Sequence, residues 1–217
     1  MIADPFASRI EDLPEILPVF PLSQAILLPG GRLPLNVFEP RYLALLDEAL
    51  AGRRLMGVIQ PLSRDESDKA TLYGVGSVGR VVHFSETDAR QMFVVLAGLC
   101  RFRSVAEVEP KNGFRRLKVD YAPYRADFST PETPGPRERI MPALKAFIEA
   151  HAIELDLRAL DALPLGSLVV TLAMALPFEP PEKQALLEAR TAADRFNTLC
   201  ALMEMGAIAG SAGETPQ

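Results

Sequence analysis

The chain has 217 residues, a formal net charge of −5, 48% hydrophobic and 24% charged residues. These proportions are ordinary for a soluble globule of one large domain or two small ones. They come with no basic stripe of the kind that phosphate binding needs, since residues 1–125 hold 16 Lys+Arg against 15 Asp+Glu and residues 126–217 hold 7 against 13. The N-terminus, MIADPFASRIEDLPE, is acidic and lacks a basic region ahead of an apolar run, so it does not read as a signal peptide. The longest uncharged run, Ala162 to Phe178, is broken by Pro164, Gly166 and Pro177. It falls short of the roughly 20 apolar residues of a membrane span, and a buried helix is expected instead. Cys100 and Cys200 each stand alone in apolar surroundings and read as core thiols in a reducing cytoplasm.

In chain order, a short apolar strand (Leu17 to Leu22) leads to a turn at Pro29, Gly30 and Gly31, followed by a second strand (Leu33 to Phe38). Pro18, Pro21, Pro29 and Pro34 mark edges, strand ends or bends, because proline cannot donate to a ladder. Pro40 suits the first turn of a helix and Gly52 its end; between them Tyr42, Leu45, Leu46, Ala49 and Leu50 share one face. Glu39 and Arg41 are placed to pair and to orient that helix. Strands follow at Leu55–Gln60, Gly76–Phe84, Gln91–Leu99, Phe102–Val108 and Phe114–Tyr121, separated by turn formers such as residues 86–89 (ETDA) and 110–113 (PKNG). Many short, regularly punctuated strands suggest a closed or nearly closed antiparallel barrel.

Residues 127–138 (DFSTPETPGPRE) read as a linker, after which the period becomes helical. Ile140, Leu144, Phe147 and Ile148 share a face, and Leu165–Leu176 is apolar on nearly all sides, as a fully buried helix would be. Pro180, Pro181 and Glu182 open the next helix, and a last one, about Thr191 to Ile208, carries Phe196, Leu199, Leu202 and Met203 before Gly206 and Gly210 mark its decay. The expected organisation is α+β: a β-rich unit (1–125) with one early helix, a linker (126–136), a helical bundle (137–209) and a disordered tail (210–217).

The segment LPVFPLSQAILLPGGRLPLNVFEPRYLALLDEALAGRRLMGVIQP (Leu17 to Pro61) resembles the opening of the N-terminal substrate-recognition domain of Lon-type ATP-dependent proteases. GVGSVGRVVHF resembles that family's glycine-punctuated strand, QMFVVLAGLCRFRSV its next hairpin, and PFEPPEKQALLEARTAADRFNTLCALME its final helices. The resemblance implies a PUA-like β-barrel followed by a helical bundle, with no active site and no cofactor. It also implies a partner class: unfolded or exposed apolar segments of proteins, with a protease or chaperone as a further partner. No GxxxxGK[ST] pattern occurs in the sequence, so the chain resembles the recognition domain existing alone.

Several enzyme-like signals have plainer readings. Residues 74–79 (GVGSVG) match GxGxxG, but the β-branched Arg80–Phe84 follows where a helix should begin, so a bent strand is expected. Ser211 lies in a Ser-Ala-Gly triplet resembling that around the Lon nucleophile, yet no lysine follows it to act as base. His83 and His151 lack partners at metal-ligand spacing, and Asp65, Glu66 and Asp68 with Arg64 and Lys69 read as a solvated loop. What remains is binding by apolar surface, with Leu27, Leu28, Pro29, Leu33, Leu35 and Phe38 as candidate contacts. PUA-like barrels also bind RNA, and the Lys111, Arg115, Arg116 and Lys118 hairpin is where this chain would do so; acidity and the lack of Trp argue against it.

Overall fold

The computed structural model describes residues 9–62, 70–87, 91–129 and 134–212. The charged loop at Arg64–Lys69, residues 88–89 of the ETDA turn, residues 130–133 of the linker and 213–217 of the tail lie outside the described residues, as does the Ser211 side chain. Chain contacts divide the molecule into two units, Met1–Thr130 and Pro131–Gln217.

Alternating apolar residues make the strands of the first unit: β1 (Ile16–Pro21), β2 (Arg32–Val37), β3 (Leu55–Pro61), β4 (Leu72–Thr87), β5 (Gln91–Lys111) and β6 (Phe114–Asp120), with α1 (Pro40–Ala51) between β2 and β3. They form one sheet in the order β2-β5-β4-β3-β1-β6, and β6 also pairs with β5, so the hydrogen-bonded circuit returns from β6 to β5. The inward residues of several strands, among them Leu17, Val19, Ile59, Val78, Phe102, Leu117 and Val119, form a single core cluster.

Two expectations are corrected here. The sheet is not wholly antiparallel: β1 and β3 run parallel, Val19 opposite Gly57, because α1 serves as the crossover that returns the chain in the same direction. The runs Gln91–Leu99 and Phe102–Val108 are one strand, β5, continuous to Lys111. It absorbs curvature through irregularities in its register with β4, the first where Val78 faces Cys100 and Gly79 faces Gly98, leaving Leu99 as the extra residue. Gly98 is required there, since a Cβ at this position would lie 2.1 Å from the Leu28 carbonyl oxygen. The GxGxxG stretch lies wholly within β4, which continues to Thr87 without giving way to a helix.

After β6 a short 3₁₀ segment, Ala122–Phe128, is fastened to β5 by a buried ion pair. Arg101 Nη2 and Nε donate to the Asp127 carboxylate (2.7 and 3.0 Å), and the Arg101 main-chain N–H adds a third bond at 2.9 Å. The guanidinium lies 4.7 Å from the Tyr124 ring centroid. Burial first, and Asp127 second, push the neighbouring Cys100 thiol up to about 12, so this cysteine is a packing residue.

The second unit is helical: α2 (Arg137–Ala150), α3 (Leu157–Asp161), α4 (Leu165–Ala175), α5 (Pro180–Glu188) and α6 (Ala192–Ala212). α4 is not buried on all sides as its composition suggests. Leu168, Val169, Leu172 and Ala173 are buried, while Ser167, Thr171 and Ala175, four apart, face solvent. α6 runs to Ala212, past the expected end near Ile208. Its glycines serve close packing on α2: a Cβ at Gly206 would lie 2.5 Å from the Phe147 ring, and one at Gly210 2.8 Å from the Ala150 carbonyl oxygen.

Lys183 of α5 is buried and donates from Nζ to the Met174 carbonyl (2.5 Å), satisfying a main-chain acceptor that the end of α4 leaves open. Burial lowers its pKa from the ordinary 10.5 to about 8.

Two predictions follow from these buried charges. Asp127→Ala leaves the Arg101 guanidinium buried without its carboxylate and should cost about 3–5 kcal/mol by urea unfolding; a loss below about 1 kcal/mol would contradict a structural role for the pair. For Lys183 the unfolded chain binds more protons than the folded one between about pH 8 and 10.5, so this residue's contribution to stability rises with pH across that window. The stability difference between wild type and Lys183→Met should therefore shift in favour of wild type from about pH 7.5 to about pH 10, and a pH-independent difference would show that the amine is not held neutral-prone by burial.

Candidate functional site

A cleft of about 280 Å³ opens in the first unit where five pieces of chain converge. The end of β1 contributes Phe20 and Pro21, the end of β2 Leu35 and Asn36, the turn before α1 Phe38 and Glu39, the first turn of α1 Arg41 and Tyr42, and the start of β6 Phe114 and Arg115. Pro61 and Ala70 complete one side.

Local sequence explains the start of α1 and the turn of the β5–β6 hairpin. Pro40 starts α1, and the Glu39 carbonyl accepts from the N–H groups of Tyr42 and Leu43, both at 2.9 Å. The Glu39 side chain does not cap the helix; it accepts from Arg41 Nε at 2.9 Å and Nη2 at 2.8 Å, which is the expected ion pair. That guanidinium lies 4.6 Å from the Tyr42 ring centroid, and Tyr42 packs on Phe20 with centroids 4.2 Å apart. On the far wall, Asn112 and Gly113 both have positive φ (49° and 85°), as a two-residue type I′ hairpin between β5 and β6 requires. The hairpin is anchored to α1 through Lys111 and Glu48, 2.7 Å apart.

The electrostatics of the walls are closed. Arg115 bonds Glu107 through Nε (2.7 Å) and Nη2 (2.6 Å) and the Ala70 carbonyl through Nη1 (2.7 Å). Arg103 pairs with Asp120 at 2.6 Å, and Arg116 donates to the Glu109 carbonyl at 2.9 Å. The densest basic hairpin of the sequence thus spends most of its cations on partners within the protein. Among the described residues no three His, Cys, Asp or Glu side chains converge as metal ligands, and no described helix is long and apolar enough to cross a membrane. Both cysteines are buried and free.

The six residues proposed from sequence separate into two groups. Leu27, Leu28 and Leu33 are buried in the interior. Pro29 is half-buried and lies at the turn away from the cleft lining, whereas Leu35 and Phe38 both line the cleft. Phe38 is 60% exposed, which marks it out among the large apolar side chains of the unit. Phe20, Tyr42 and Phe114 were not anticipated, and Arg115 was expected only as part of the basic hairpin. Tyr42 was legible as part of the apolar stripe of α1, but the placement of Phe114 and Arg115 depends on β6 pairing with β1, Val19 opposite Arg115, which local patterning does not encode. His83 lies exposed on β4, edge-on to Phe93 at 5.9 Å, and His151 ends α2 stacked on Phe147 at 4.1 Å; neither is among the residues that line the cleft.

A mixed α+β fold of this kind is found in known proteins. Residues 16–205 match the ATP-dependent protease La (LON) substrate-binding domain, and the chain belongs to that family. It is 33% identical over 121 residues to Lon protease 2 of Myxococcus xanthus, covering 55% of this chain and 14% of that protein. Over 185 residues it is 25% identical to the Lon protease of Dictyoglomus thermophilum, covering 83% of this chain and 23% of that protein. The chain therefore spans under a quarter of the length of these curated relatives. Among solved structures, the Lon N-terminal domain protein from Xanthomonas campestris has the same fold, with a TM-score of 0.60 and 24% identity over 86% of this chain and 97% of that one. The N-terminal domain of the Mycobacterium avium complex Lon protease superposes with a TM-score of 0.55 at 16% identity, over 87% of this chain and 97% of that one.

Proposed function

We propose that this stretch of chain is a non-catalytic binding module that takes exposed apolar segments of other proteins into the cleft beside Phe38. The closed circuit of strands is read as a PUA-like barrel, and the helices of residues 137–209 as a bundle joined to it by the linker at 126–136. The observation that carries the reading is the exposure of the Phe38 ring at the mouth of a cleft walled by Leu35, Phe20, Tyr42 and Pro21. An aromatic ring left in water beside a concave apolar wall is a ready anchor for an aliphatic or aromatic side chain of a client. Family membership supports a protein as the bound species. The self-neutralised walls support binding by apolar contact, and they weaken the case for RNA, which needs cations free to meet phosphates. Two free buried thiols fit a reducing, cytoplasmic setting.

The test is fluorescence anisotropy with labelled, reduced and carboxymethylated lactalbumin as an unfolded probe. Phe38→Ala should weaken binding about 5- to 10-fold with little change in thermal midpoint, because the ring is exposed in the free protein. Raising salt from about 0.05 to 0.5 M should change the affinity by less than about threefold. Equal affinity of the variant and wild type would overturn the site, and a steep loss with salt would transfer the case to an electrostatic ligand.

A further inference from the structure

The way a client lies in the cleft is written in the edge of β2, and the argument rests on the cleft being the binding site. β2 is the terminal strand of the sheet order, and among the described residues it pairs with β5 alone, from Arg32 opposite Ala97 to Val37 opposite Met92. The parity of that ladder is set at its start, where the Gly98 N–H donates to the Gly31 carbonyl at 2.9 Å. In an antiparallel pair the doubly bonded residues recur every second position. Gly31 contributes its carbonyl alone, since its N–H donates to the Leu28 carbonyl; the bonded positions are thus Leu33, Leu35 and Val37, and the main-chain groups of Arg32, Pro34 and Asn36 point away from β5. Pro34 fits this parity, because its missing N–H then costs the ladder nothing. The main-chain groups of Arg32 and Asn36 make no other bond among the described residues. The open edge runs directly into the cleft, since Asn36 and Leu35 line it and Phe38 stands at its end.

We infer that the client is bound as an extended strand added to the free edge of β2. Its main chain bonds the N–H and C=O of Asn36 and the C=O of Pro34, and its alternate side chains enter the cleft toward Leu35 and Phe38. The occupant is defined by complementarity with the wall. Glu39 is matched to Arg41 and Arg115 to Glu107, so the cleft presents no unbalanced charge and suits an uncharged segment with apolar residues at every second position. Affinity then comes from main-chain bonds that every sequence can make, and selection from the two or three side chains that face the cleft.

The experiment uses an uncharged, labelled octapeptide in which Leu and Val alternate with Ser, measured by anisotropy against the full chain. Two further versions carry N-methyl groups at alternate residues, one on each parity. The inference predicts that one parity binds at least about tenfold more weakly than the unmodified peptide while the other is unchanged. Asn36→Pro, which deletes an outward N–H, should weaken the unmodified peptide by a similar factor, with circular dichroism confirming that the sheet is retained. If all three peptides bind equally, the client is held by side chains alone and strand addition is wrong, though the cleft stands. If none binds, both readings fail. Sedimentation that shows a dimer which the peptide cannot dissociate would assign the edge to a second copy and also overturn the inference.

Discussion

Pairing of β5 with three other strands is the constraint on which the first unit depends. Its early residues hold β2 on one side and β4 on the other, and its late residues hold β6. A strand of 21 residues can do this only by bending, and the register irregularities opposite β4 together with the unobstructed approach of Leu28 to Gly98 supply the bend. Because β6 then reaches β1 as well as β5, the circuit of hydrogen bonds leaves no long edge between these strands, while among the described residues β2 lies outside it and pairs with β5 alone. The Arg101–Asp127 pair secures the 3₁₀ segment after β6 to the same strand.

The cleft is a consequence of that arrangement. β2 pairs with β5 outside the circuit, and its last residues, the turn at Phe38 and the first turn of α1 line the cleft together with the end of β1 and the start of β6. Glu39, Arg41 and Arg115 each have a charged partner, so under the proposed function recognition falls to shape, the exposed Phe38 ring and the edge of β2.

Much of this architecture was legible in the sequence, and the gaps have physical causes. Strand and helix positions followed from period and from proline and glycine punctuation, and α1 begins and ends where Pro40 and Gly52 place it. Local patterning could not show that β1 and β3 run parallel, or that β5 is unbroken through Leu99, because both depend on which strands meet. It read Gly206 and Gly210 as the end of α6, when their role is to admit Phe147 and Ala150 of α2. Among the proposed contacts, Leu27, Leu28 and Leu33 have the same apolar character as Leu35 and Phe38. Leu33 lies inward with Leu35 by the alternation of β2, whereas Leu27 and Leu28 sit in the preceding loop, where no period marks them as interior. Lys183 was visible as part of a family-like motif, but its burial against the end of α4 was not.

The central claim is that polypeptide is bound at the junction of β2, α1 and β6. The most direct measurement is amide chemical-shift mapping of the isotopically labelled chain during titration with an unlabelled unfolded protein. The account predicts shifts concentrated at Leu35–Tyr42 and at Phe114–Arg115, with the helices of residues 137–212 silent. Shifts confined to those helices, or to the outward cations Arg116 and Lys118, would contradict it.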